Sequence, residues 1–116
     1  DAKLDQMRKE TERMLQYQKR AAEVRVEQEK AVAFLKSEWL VLFPAGRTVT
    51  PEKDFEAGLR MILERLPVDE VADSMQITKR KSDHGRVRDY AAERYFFGVC
   101  WSKIRQREEE KSEHVR

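Results

Sequence analysis

Cys100 is the only cysteine in this chain of 116 residues. No intrachain disulfide can form, and a reducing, cytoplasmic setting fits best. Nowhere does an apolar run approach the roughly 18 residues a membrane-spanning helix needs, so no membrane partner is expected. The opening segment is charged and lacks the apolar stretch of a secretory signal. A glycine-rich phosphate loop is also missing, because Gly46-Arg47-Thr48 lacks the strand, the second glycine and the lysine of that motif. Cys100, His84 and His114 stand at no paired ligand spacing, so neither a metal nor any other cofactor is expected. Ser82-Asp83-His84 contains triad residue types, but a triad is assembled in space by a scaffold, and three neighbours in a turn point different ways. The chain is therefore expected to be non-enzymatic.

What the sequence does have is a heptad. From Leu4 to Leu42 the a positions are Leu4, Thr11, Gln18, Arg25, Val32 and Trp39, and the d positions are Met7, Met14, Ala21, Gln28, Leu35 and Leu42. Both ends of this seam are apolar and its middle is polar. A helix of roughly 40 residues would be about 60 Å long, too long to be buried against the small domain over residues 39–107, whose size is near the lower limit for an independent core. An amphipathic helix folding onto its own domain explains the pattern over residues 25–42 equally well. Over residues 4–21 no chain remains to cover the seam, so Leu4, Met7, Thr11, Met14, Gln18 and Ala21 are expected to associate with another copy, giving a dimer or higher homo-oligomer. Leu15 and Tyr17, at e and g, would widen the seam. The chain opens in mid-helix without a methionine, and the expectation is a fragment preceded by a further domain.

After the arm the pattern predicts an all-α fold, a long N-terminal coiled-coil helix followed by a compact bundle of about three helices. The predicted divisions are an arm over 1–38, a small helical domain over 39–107 and a charged tail over 108–116. Apolar residues surround the helix at Trp39 to Phe43, and Pro44 and Gly46 end it. Thr50 and Pro51 read as N-cap and first helical residue of a second helix burying Phe55, Leu59, Ile62 and Leu66, stopped by Pro67. A short third helix from Val68 or Asp69 carries Val71, Ala72 and Met75 and fades near Lys79. After a turn at Ser82 to Gly85, a fourth helix is predicted from about Arg86, including Tyr90, Ala91, Phe97, Trp101 and Ile104. Its uncharged run Tyr95 to Trp101 should sit at the centre of the core, with Gly98 admitting another helix closely. No strand or internal repeat is expected.

Net charge is only +2, so distribution matters more than total. From Lys79 to Arg107 nine basic residues face only Asp83, Asp89 and Glu93, for a local net of +6. Glu52 to Glu70 is net −3 and the last nine residues net −2. Lys79, Arg80, Lys81, Arg86, Arg88, Lys103, Arg105 and Arg107 are the candidate contacts to nucleic-acid phosphates. The aromatics alternate with apolar residues and are expected to pack the core instead of stacking on bases. Val68 to Ala91 could form a helix-turn-helix with Arg86-Val87-Arg88 opening the recognition helix, although the connection from Ile77 to Gly85 exceeds the usual 3–4 residues.

The segment AVAFLKSEWLVLFPAGRTVTPEKDFEAGLRMILERL, with Trp39, Phe43-Pro44 and Phe55, resembles a pattern in phage-type replication initiators and helicase-loading proteins. There a charged helical linker leads into a Trp, an aromatic-Pro pair and an amphipathic helix. AERYFFGVCWSKIRQ, with Tyr95, Trp101 and Ile104, looks like the closing aromatic helix of such proteins. The resemblance covers residues 31–107 and departs from the pattern in lacking a basic Pro-Arg-Lys cluster after the proline. It implies an upstream DNA-binding domain and a C-terminal part that binds DNA or a replicative helicase. The expected function is a self-associating helical module in DNA transactions, part of a phage or mobile-element replication initiation or helicase-loading protein. The alternatives are a dimeric transcriptional regulator reading DNA through Arg86 to Arg94, and a structural adaptor whose basic residues only solubilise it.

Overall fold

The computed structural model describes residues 2–44 and 52–114. It is all-α, with helices α1 (Ala2–Leu42), α2 (Glu52–Leu63), α3 (Val68–Asp83) and α4 (Ala92–His114) and a 3₁₀ turn over Asp89–Ala91. The capping roles assigned to Thr50 and Pro51, and the stop assigned to Gly46, fall on positions outside the described residues. The chain divides into two compact units, residues 1–30 and 31–116, and α1 runs through both.

In the second unit the heptad of α1 is the core face. Val32, Leu35 and Trp39 are buried, and Leu42 and Phe43 pack against them. The α1 ladder ends as Phe43 N–H donates to the Trp39 carbonyl at 2.8 Å, just before Pro44, whose ring opposes helix in the residue ahead of it. Trp39 organises an aromatic cluster. Its ring stacks on Phe43 at 4.4 Å and tilts against Phe55 at 5.5 Å and Phe96 at 5.4 Å, within the range where aromatic pairs attract beyond simple burial. Lys36 adds an ion pair to Glu56 at 2.6 Å.

On α2, Phe55, Leu59 and Ile62 are buried at spacings of four and three, as the periodicity predicts. The helix ends at Leu63, short of Leu66, yet Leu66 is still buried. Both Arg65 N–H and Leu66 N–H donate to the Ile62 carbonyl at 2.9 Å, so a tightened last turn carries Leu66 into the core.

Helix α3 is longer than the sequence suggests, continuing to Asp83 instead of fading near Lys79. Its buried stripe is Val71, Ser74, Met75 and Thr78. The two hydroxyls bury without cost to hydrogen bonding because Ser74 Oγ donates to the Glu70 carbonyl at 3.0 Å and Thr78 Oγ1 to the Ser74 carbonyl at 2.9 Å. Helix α4 starts at Ala92, not Arg86. Ala92, Phe96, Cys100 and Ile104 form its buried row at intervals of four, so the run from Tyr95 to Trp101 does enter the core, through Phe96 and Cys100. The charged end continues as helix to His114. Gly98 does not admit a neighbouring helix, since a Cβ there would meet nothing within 4 Å. Close approach occurs at Gly58 of α2, against the ring of Phe97.

Lys103 joins α4 to α3, its ammonium donating to Asp73 Oδ2 at 2.9 Å and the Glu70 carbonyl at 3.0 Å, with Glu70 Oε2 at 3.2 Å. Burial alone would lower the Lys103 pKa, but the hydrogen bonds to Asp73 and Glu70 more than offset it and the net shift is upward. The hydrogen bond from Lys103 holds the Asp73 carboxyl below its usual range.

Candidate nucleic-acid interface

The turn between α3 and α4 is built by backbone hydrogen bonds. Gly85 has φ +71; its N–H donates to the Ser82 carbonyl at 3.0 Å and the N–H of Arg86 to the Lys81 carbonyl at 2.9 Å. This pair of bonds around a left-handed glycine is a Schellman closure. It brings the backbone of Arg86 against that of Lys81. Val87 then packs on the core while Arg86 and Arg88 on either side are exposed. Ala91 N–H donates to the Arg88 carbonyl at 2.8 Å, forming the 3₁₀ turn that leads into α4.

This route leaves Tyr90 outside the core, 69% exposed, contrary to the expectation that the aromatics pack inside. Arg94 follows it by four residues and is also exposed. Both lie two positions from the buried Ala92, on the other side of the helix path. Arg86, Arg88, Tyr90 and Arg94 line one shallow, open concavity of about 450 Å³, floored by Val87, Ala91 and the half-buried Tyr95. None of the three arginines is ion-paired to another described side chain.

The remaining basic residues named from sequence are placed differently. Lys79 pairs with Asp83 at 3.2 Å and sits 5.3 Å from the centre of the Phe43 ring. Arg80 and Lys81 lie in the last turn of α3, where cations complement the helix dipole. The Lys103 ammonium is committed to Asp73 and Glu70 and its side chain is only 18% exposed, which leaves it little capacity for a phosphate. Arg105 is exposed with Ser102 Oγ at 3.4 Å. Arg107 lies in a mixed-charge hollow with Glu64, Arg65, Glu108 and Lys111, where Arg65 pairs with Glu108 at 3.5 Å. The fold thus brings Arg86 and Arg88 together with Arg94, named from sequence only as the end of the alternative DNA-reading stretch, and with Tyr90, which was expected in the core. The available signal was the alternation Arg86, Arg88, Tyr90 about a half-buried Val87.

Arg86-Val87-Arg88 lies outside any helix, so it does not open a recognition helix. Asp83 is paired with Lys79, and His84 supplies the α3 C-cap, its N–H donating to the Arg80 carbonyl at 3.1 Å. Among the described residues no group of three His, Cys, Asp or Glu side chains could hold a metal ion, and no helix is long and apolar enough to cross a membrane.

A second surface lies on the unit formed by residues 1–30. Leu4, Met7 and Met14 of the predicted seam are exposed, as are Leu15, Tyr17 and Val24 beside it. Gln18 is exposed and Ala21 half-buried, and Thr11 Oγ1 donates to the Met7 carbonyl at 2.9 Å.

No family model, curated protein or solved structure matches this chain.

Proposed function

We propose that this chain is a non-enzymatic, self-associating helical module that holds nucleic acid through the turn between α3 and α4. The observation that carries the reading is the set of three arginines around one concavity, none ion-paired to another described side chain. Guanidinium groups in that condition are available to phosphate oxygens, with which they form strong bidentate hydrogen bonds. Self-association is supported by the exposed apolar seam from Leu4 to Met14, which has the heptad spacing of a helix that packs on another. The setting implied by the resemblance, replication initiation or helicase loading in a phage or mobile element, belongs to the same proposal. Co-purification with a hexameric replicative helicase tests that part.

Anisotropy of labelled DNA titrated with salt tests the central claim. Affinity should fall with a slope of about −0.9 per neutralised phosphate on duplex and about −0.7 on a single strand. Replacing Arg86, Arg88 and Arg94 with Gln should flatten that slope by up to about two to three units and barely move the melting temperature, because exposed charges contribute little to stability. Replacing Lys79, Arg80 and Lys81 probes the rest of the cluster in the same way. Lys103→Gln should do the opposite, lowering the melting temperature and leaving the slope alone. Absence of DNA binding at low salt would leave the structural adaptor as the surviving reading.

A further inference from the structure

We infer that Tyr90 is a stacking platform for an unpaired nucleobase, so that the concavity takes single-stranded nucleic acid in preference to duplex. The inference rests on the nucleic-acid reading above and specifies the ligand of that site.

A single exposed tyrosine needs no explanation. What distinguishes Tyr90 is its position among Arg86, Arg88 and Arg94. The turn that exposes those guanidinium groups also turns the aromatic ring outward, beside the half-buried Tyr95. Positive side chains that track a phosphate backbone, with an aromatic face between them, form the arrangement that holds single strands without reading sequence. Arginine planes can stack on bases as well. In a duplex the bases are paired and stacked on one another, and Tyr90 would have no face to meet. The concavity is shallow and open, as suits a strand laid across a surface.

The chemistry divides into two separable parts. The arginines attract any polyanion, and their contribution falls with salt. The tyrosine contributes only when a base is present, and its contribution does not depend on counterion release. Ring and guanidinium can therefore be tested against probes that differ in bases alone.

The experiment measures anisotropy of a fluorescein-labelled oligothymidylate, an abasic strand of equal length and a mixed-sequence duplex, at low salt. The proteins are the intact chain, Tyr90→Ala, Tyr90→Phe and Arg86→Gln/Arg88→Gln/Arg94→Gln, each checked by thermal melting. Tyr90→Ala should weaken oligothymidylate binding about 5- to 150-fold, the range of one base–aromatic stack. It should leave the abasic strand, the duplex and the salt slope unchanged. Tyr90→Phe keeps the ring and should bind as the parent does. The triple arginine variant should weaken all three probes. If Tyr90→Ala binds oligothymidylate as tightly as the parent, or the parent binds the abasic strand equally well, the stacking inference is overturned. The phosphate-binding reading then stands or falls on the arginine variant alone. A parent that binds none of the probes overturns both.

Discussion

The ring of Phe97 occupies the space that a side chain at position 58 would need. A Cβ on Gly58 would lie 2.8 Å from Phe97 Cε1 and 2.9 Å from Cζ. The ring cannot swing away freely, because Phe55 holds it edge-on at 5.6 Å and Phe96 tilts against it at 5.0 Å. Gly58→Ala should gain about 1 kcal/mol in helix propensity and lose about 1–3 kcal/mol to overpacking. The expected balance is a net loss on the order of 1 kcal/mol, read as a melting temperature lower by about 4–8 °C. Adding Phe97→Leu should recover part of it. A Gly58→Ala chain more stable than the parent would show that the ring moves easily.

Phe96 and Trp101 sit on the same helix but are not equivalent. Phe96 is fully buried, whereas Trp101 is half-buried with the Arg65 guanidinium carbon 5.8 Å from its ring centre. Phe96→Ala should cost about 3–5 kcal/mol, a large share of the stability of so small a unit. Trp101→Ala should cost less. Urea melts of the two variants decide the order, and a reversal would mean that Trp101, not Phe96, is the central aromatic of α4.

The exposed seam of the first unit predicts a concentration-dependent mass. Met7→Glu/Met14→Glu would place two carboxylates in an apolar interface, at a total of several kcal/mol. Light scattering should then report a smaller species at the same concentration. A parent chain that is already monomeric would remove self-association from the proposal.

Burial pushes the Cys100 thiol up from 9.0 to about 11, while the hydrogen bond with Ser74 works the other way. As pH rises past 9.0 the unfolded chain ionises first, so it binds fewer protons than the folded chain and stability falls toward pH 11. Lys103 adds to the trend, since its raised pKa gives a contribution present below 10.5 and lost above it. Melting temperature should drop over this window. A disulfide reagent at about pH 8, near the ordinary thiol pKa, should label Cys100 only as fast as the protein opens. Prompt labelling would mean that the thiol is accessible.

The helices were largely legible from apolar spacing. Val32, Leu35 and Trp39 on α1 and Phe55, Leu59 and Ile62 on α2 are read correctly because each is apolar and faces inward. The last turn of α3, from Arg80 to Asp83, was not legible because no apolar residue marks it, and the burial of Ser74 and Thr78 was hidden because both count as polar by type and bury only by bonding back to carbonyls one turn earlier. The start of α4 was misplaced by six residues because Arg86 to Ala91 contains nothing that forbids a helix. A Schellman closure and a 3₁₀ turn use that length instead. The candidate site suffered for the same reason. Lys103 looks like its basic neighbours in sequence, and only tertiary packing reveals that α3 has claimed its charge.

Gly85 is fixed by handedness and not by volume. Its φ is +71, and a Cβ there would meet no atom within 4 Å. At Gly58 the difficulty is room, because the methyl of an L-residue would run into the ring beside it. At Gly85 the difficulty belongs to L-amino acids alone. A D-alanine introduced by chemical synthesis would take the same backbone angles without strain and would narrow the choices of the unfolded chain, stabilising the fold by about 0.4–1 kcal/mol. L-alanine would meet the penalty of the left-handed region, about 1–2 kcal/mol. The mirror-image methyl thus acts as a stereochemical gauge of the turn that displays Arg86, Arg88 and Tyr90.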